Sequence, residues 1–193
     1  MFADNSTSAD FISALIASSK NADETAGAKG VYRIECVAPD GGVKWVAETP
    51  NLVVNVGLQD MNTKYFTGTT YTATWFIGLY GDGASNTPAA SDTAASHIGW
   101  TEIVPYSNAT RPAATFGTAT TANPSEISNT ASPASFTINA TATVGGAFLI
   151  SNSTKSGTTG ILFSASDFQS PGDRTVASGD VLNVTYTFSL TAT

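Results

Sequence analysis

One imidazole, one thiol and a thin scatter of carboxylates are the groups in this 193-residue chain that could do chemistry. Hydrolysis or group transfer needs a nucleophile with a base, a carboxylate pair or a metal cluster. His97 is the single histidine, so a histidine-based metal site gains at most one such ligand per chain. A Ser-His-Asp triad through His97 would need a presented serine, and no Gly-x-Ser-x-Gly elbow accompanies it. Beside Trp100 and Glu102, His97 reads as a structural hydrogen-bonding residue. Two acidic turns offer calcium ligands: Gly81-Asp82-Gly83 with Asn86 and Asp92, and Pro171-Gly172-Asp173. Neither has the dense alternation of carboxylates of a calcium loop, and Asp in such turns ordinarily bonds its own backbone. Asp167 and Asp173 could form a carboxylate pair, but nothing in the sequence sets their separation, and Arg174 nearby favours a plain ion pair. Cys36 lies in an alternating stretch and reads as a small core residue. The Asn-x-Ser/Thr triplets at Asn5, Asn108, Asn139, Asn152 and Asn183 arise by chance in a chain this rich in Ser and Thr. The expectation is a protein that is not an enzyme, with no catalytic residue, no cofactor and no metal.

The elements that would position these groups are strands. Charged residues make up 12% of the chain, about half the globular average of roughly 25%. Ser, Thr and 17 Gly take their place, which suits strands and tight turns. The net charge of −7 argues against a nucleic-acid partner, which needs a basic stripe, and against an anionic membrane surface. No apolar run approaches the roughly 18 residues needed to cross a bilayer. The N-terminus Met-Phe-Ala-Asp-Asn has no basic region, and with a single cysteine no internal disulfide is possible, so folding in a cytosol is expected.

Tyr71–Tyr80, with adjacent Trp75 and Phe76, reads as a central strand covered on both faces. Gly30–Glu48 is a hairpin: Tyr32, Ile34 and Cys36 share one face, Pro39-Asp40-Gly41-Gly42 turns, and Val43–Val46 returns. Asn51–Val56 reads as a strand broken at Gly57. Leu58, Met61, Asn62, Tyr65 and Phe66 follow at helical spacing, placing one short helix near 57–66 on the sheet. Residues 81–97 form a long surface loop and His97–Ile103 a short strand. Ala113–Ala119 is a possible edge strand, and over 120–133 pairing is brief at best. Ser135–Ala140, Gly146–Ile150 and Gly160–Ala165 are further strands. The closing strand alternates best, with Leu182, Val184, Tyr186, Phe188 and Leu190 on one face. The fold class expected is all-β, an antiparallel β-sandwich or jelly-roll-like barrel over residues 30–193. Residues 1–29 read as an N-terminal arm. Ser8 could cap a short helix in which Phe11 with Leu15 and Ile12 with Ile16 form apolar pairs four apart. Such a helix is marginal alone, so these four residues are the candidate contacts to a partner or to the chain's own body.

Several of these stretches together carry a resemblance. They are Lys44-Trp45, Asn51–Leu58, Trp75–Leu79, Ser96–Glu102, Tyr106 with Arg111-Pro112, and Asn129–Ala134 ahead of Phe136. Gly145–Leu149, Gly157–Gly160 and Ser178–Tyr186 complete the set. In this order, over roughly 160 residues, the chain resembles a widespread family of tailed-bacteriophage and prophage virion structural proteins. The resemblance implies a part of a phage particle and carries over no functional residues. The expected role is a capsid decoration or cement protein, self-associating as a symmetric oligomer, with the major capsid protein or another virion protein as partner. The alternative is a tail accessory or fibre-type protein for attachment or host binding. Its place would be the virion, after synthesis in the host cytoplasm.

Overall fold

Two five-stranded antiparallel sheets face one another across a shared apolar core. They belong to a computed structural model that describes residues 27–71, 74–81, 87–168 and 172–192. The first sheet has the order β2 (Val43–Pro50), β1 (Gly27–Val37), β12 (Val181–Thr191), β6 (Ser125–Ser128), with β7 (Ala134–Thr137) also paired to β12. The second has the order β3 (Leu52–Val53), β10 (Leu162–Asp167), β9 (Gly146–Ile150), β4 (Phe76–Gly81), β5 (Thr101–Ile103). A short pair, β8 (Ala142–Val144) with β11 (Arg174–Val176), stands apart. The fold is all-β and sandwich-like, as the composition and turn spacing imply.

Alternation decides what faces inward. Tyr32, Ile34 and Cys36 of β1 and Leu182, Val184 and Tyr186 of β12 are all buried, opposite Ile77, Leu79 and Leu149 of the second sheet. Burial pushes the Cys36 thiol up to about 11, which suits an inert packing residue. The two sheets are also tied by hydroxyls. Tyr32 and Tyr186 lie 4.5 Å apart, ring to ring. The Tyr32 hydroxyl and Ser164 Oγ are 2.8 Å apart, and Asn51 Nδ2 donates to the Tyr186 hydroxyl at 2.9 Å. Polar tips that leave water in this way need such partners, and burial raises both phenols.

The hairpin forms as read. Gly41 takes φ +86°, and the N–H of Gly42 donates to Asp40 Oδ1 at 2.9 Å. β1 begins at Gly27, so the strand already occupies the last residues assigned to the arm. Phe11, Ile12, Leu15 and Ile16 lie outside the described residues.

Four expectations need correction. The central run narrows to Phe76–Gly81, with Trp75 partly buried just before it. Asn51–Val56 supplies only the two residues of β3. The chain then turns into helix α1 (Asn55–Phe66), with the Val54 carbonyl accepting from the N–H groups of Gly57 and Leu58. Within α1 only Gly57 is buried, because there the helix backbone lies against the Phe163 carbonyl and a Cβ would collide with it. Leu58, Tyr65 and Phe66, expected on the sheet, are exposed, the last two at 82% and 77%. Finally, Ala113–Ala119 is no strand: it makes a single bridge from Ala113 to Phe76, and the sheet edge belongs to β6.

One device holds the first sheet together. β12 pairs with β6 over Thr187–Leu190 and with β7 over Val181–Val184, which leaves a gap at Thr185–Tyr186. Asn129, wholly buried, fills it. Its Oδ1 accepts from the Tyr186 N–H at 2.6 Å and its Nδ2 donates to the Val184 carbonyl at 3.2 Å.

Candidate functional site

The second sheet is covered on its outer face as well. Tyr80, Phe148, Ile150 and Leu162 pack there against Trp100 and Ala94 of the segment 87–100. Trp100 is 4% exposed, with its ring 4.9 Å from Tyr80 and 5.3 Å from Phe148. Its indole N–H donates to Asp92 Oδ2 at 2.9 Å, and the same oxygen accepts from the Ala89 N–H. An indole that far from water needs such an acceptor. Asp92, a candidate calcium ligand from its sequence, is thus spent on holding the tryptophan. Asp82, Gly83, Asn86 and Pro171 lie outside the described residues. Among the described residues no group of three His, Cys, Asp or Glu side chains is placed to hold a metal ion.

Around Trp100 opens a cleft of about 210 Å3 lined by His97, Glu102, Arg111, Ser156 and Leu162 among others. His97 stacks on the Trp100 ring at 3.9 Å, and its Nδ1–H donates to the Trp100 carbonyl at 2.9 Å. A triad would put a carboxylate at that nitrogen; here a backbone carbonyl takes its place. The segment is a turn, with Gly99 at φ +103°, and only Thr101–Ile103 continue as the expected strand.

Beneath the cleft, Arg111 and Glu102 form a buried fork, with side-chain exposures of 2% and 6%. Nε donates to Oε1 and Nη2 to Oε2, each at 2.8 Å. The remaining capacity is used on backbone: Nη1 donates to the Asn152 carbonyl at 2.8 Å, Nη2 to the Gly157 carbonyl, and the Ser156 N–H donates to Glu102. Ser156 takes φ +55° to present that N–H. The guanidinium lies 5.3 Å from the centre of the Phe148 ring. A buried charge is tolerated when it is paired and hydrogen-bonded in this way. Nearby, Lys155 Nζ lies 3.8 Å over the Tyr106 ring and donates to the Tyr106 carbonyl, and burial lowers its pKa.

No family model, curated protein or solved structure matches this chain. The functional reading therefore rests on this geometry and on the residues themselves. Ser96–Glu102, Arg111-Pro112 and Gly157–Gly160 are separate stretches of the chain, yet the fold brings all three to this one knot. The Arg111–Glu102 pair had no local signal, since a carboxylate and a guanidinium nine positions apart outside a helix have no preferred relation. At the opposite acidic turn, Asp173 lies close enough to add to the upward shift that burial imposes on Asp167. Thr87 donates to Asp167 at 3.4 Å, and Arg174 spends a donor on the Gly172 carbonyl at 2.9 Å.

Proposed function

We propose that this chain is a structural component of a tailed-phage particle, and within the particle a decoration or cement protein on the head shell. The observation that carries the reading is the Arg111–Glu102 knot. The most elaborate polar constellation among the described residues directs its hydrogen bonds at its own loops, joining β5, the 107–112 segment and the 151–160 loop. Groups used in that way fix a surface and are not poised to turn over a substrate. The three stretches that meet there are also among those that carry the virion resemblance. A rigid acidic β-body with loops pinned at one end suits a part that must hold its shape on a lattice of identical sites. The partner is the major capsid protein or another virion protein, and the place of action the virion after synthesis in the host cytoplasm.

A tail accessory or attachment role is the second reading. Ile98, 92% exposed in the turn that follows His97, is the feature that favours it, because an exposed apolar loop residue suits a receptor or fibre contact. The deciding experiment incubates the purified full chain with empty heads and, separately, with isolated tails, and measures co-sedimentation. Saturable binding to heads is expected. Binding to tails alone would move the assignment to the second reading, and binding to neither would overturn both.

A further inference from the structure

A second cleft, of about 250 Å3, lies between α1 and the residues around Trp75, and it shares no lining residue with the cleft at Trp100. Its apolar lining is Tyr71, Trp75 and Ile161. Trp75 Nε1 donates to the Tyr71 hydroxyl at 2.7 Å, and Phe163 meets the Trp75 ring at 5.5 Å, so the two lining rings are held in one arrangement. The polar lining comes from α1 and the 151–161 loop. Asp60 and Lys64 stand four positions apart, hence on one face of the helix, and both line the cleft. Asp60 is half-buried, yet among the described residues its carboxylate meets no donor and no cation. Lys64 Nζ donates to the Thr70 carbonyl at 3.0 Å and keeps two further donors. Ser151 Oγ accepts from the Ile161 N–H at 2.8 Å, which leaves its own proton to donate. The Tyr71 hydroxyl, which accepts from Trp75, keeps its proton in the same way.

The two clefts therefore differ in kind. At Trp100 the charged groups are spent on one another and on backbone. Here a carboxylate, an ammonium and two hydroxyls share a cleft with two aromatic rings and have bonding capacity left over. Asp60 and Lys64 cancel in charge, so the cleft offers no field to draw a phosphate or a divalent cation. An amino-acid zwitterion would use the two charges and leave the hydroxyls unmet. A sugar ring uses all of them. Its neighbouring hydroxyls donate to the carboxylate, its oxygens accept from the ammonium and the hydroxyls, and its C–H face lies on the negative face of an aromatic ring. The volume, just under the usual range for drug-sized ligands, suits one ring.

We propose that this cleft binds a single neutral pyranose. The inference rests on the cleft alone and not on the virion reading; sugar binding by the isolated chain and binding to heads or tails are separate measurements, so failure of one leaves the other standing. The test titrates the full chain with D-glucose, D-galactose, D-mannose and N-acetyl-D-glucosamine into the tens of millimolar, followed by saturation-transfer NMR and by protein chemical shifts. At least one should bind at a single site with a dissociation constant on the order of 1 mM, the scale for so small a ligand. Methyl glycosides of the same sugars separate the two sources: retained binding marks the end of a glycan, and lost binding marks the free sugar. Asp60→Ala and Tyr71→Ala should each weaken binding at least about tenfold, the scale of a lost bond to a charged group, while leaving the melting temperature in place. Asp60→Asn, which keeps the volume, serves should the alanine variant lose its fold. Tyr65→Ala, exposed on the same helix and outside the cleft lining, should leave binding unchanged. The proposal is overturned if none of the four sugars binds, if binding survives Asp60→Ala, or if Tyr65→Ala loses as much. Preference for inorganic phosphate or for the phenylalanine zwitterion over every sugar would overturn it as well.

Discussion

Arg111 and Glu102 leave water together, and the cost of that transfer is offset only while both are present and every lone pair is met. Arg111→Met strands a buried carboxylate beside the Ser156 N–H, and Glu102→Gln strands a guanidinium. Each should lose about 3–5 kcal/mol in urea unfolding. The double variant should lose less than the two single losses combined, because neither charge is then left alone. Strict additivity would mean that the two side chains do not act as a pair. Lys44 and Asp180 behave differently, since Lys44 is partly solvent-exposed while Asp180 is buried. Burial works to raise Asp180, but the bond from Lys44 at 2.7 Å and the Ala177 N–H outweigh it and hold the carboxyl below its ordinary value. The same bond raises Lys44. The lowered carboxyl contributes stability above its unfolded value of about 3.9 and loses it as pH falls through the folded value. The raised amine contributes below about 10.4 and loses that as pH climbs through its own folded value. Asp180→Asn should therefore lower stability at pH 7 and narrow its deficit against the parent protein near pH 3. Denaturant midpoints at the two pH values check this, and an equal deficit at both would remove the ion pair from the account.

Elements tell a more mixed story. Replacing Gly57 by Ala in α1 gains about 1 kcal/mol of helix propensity, yet the new methyl meets the Phe163 carbonyl and Cα, which are backbone and cannot rotate away. Overpacking costs about 1–3 kcal/mol, so Gly57→Ala should lower the melting temperature; a rise would mean that the helix sits looser on β10. Asn129→Ala should cost about 1–3 kcal/mol, because a buried N–H on Tyr186 and a carbonyl on Val184 lose their partners. Thermal melts of both variants decide. These two residues also show what the sequence could and could not convey. Strict alternation in β1 and β12 and the Asp40-Gly41 turn were legible, because period and turn chemistry are local. The start of α1 was not, since Leu52-Val53-Val54 is as compatible with a strand as with the approach to a helix, and only pairing with Ser164 and Ala165 ends the strand at Val53. Asn129 carries no such local signal, because its role exists only where β6 and β7 both reach β12. The knot under the cleft was invisible for the same reason: Glu102, Arg111 and Ser156 meet through the fold and share no spacing rule.

At the scale of the whole molecule, the two sheets differ in how they are covered. The second has the first sheet on one face and the 87–100 segment with Trp100 on the other, so β9 and β10 are buried almost throughout. The first has one face on the shared core, buried along β12 as far as Tyr186 and partly buried at Phe188. Among the described residues, the ladder contacts of β1 run from Gly27 to Val37, with β12 on one side and β2 on the other, and residues 1–26 precede them in the sequence. Removing those residues and starting the chain at Gly27 should leave a folded β-sandwich. A change of 1 kcal/mol moves the melting point of a domain this size by about 2–4 °C, so the truncated chain, compared with the full chain in dilute solution, should melt within about 4 °C of it. A cut made further in, at Gly30, should behave worse. It deletes Ala28 from beside Leu190 and strips the end of β12 of its partner strand, leaving β6 alone to hold Ser189 and Leu190. Circular dichroism melts of the two truncations give the comparison. If the cut at Gly27 already lost 10 °C or more, the preceding residues would be part of the body's own core, and the boundary between arm and sandwich would have to move toward the N-terminus.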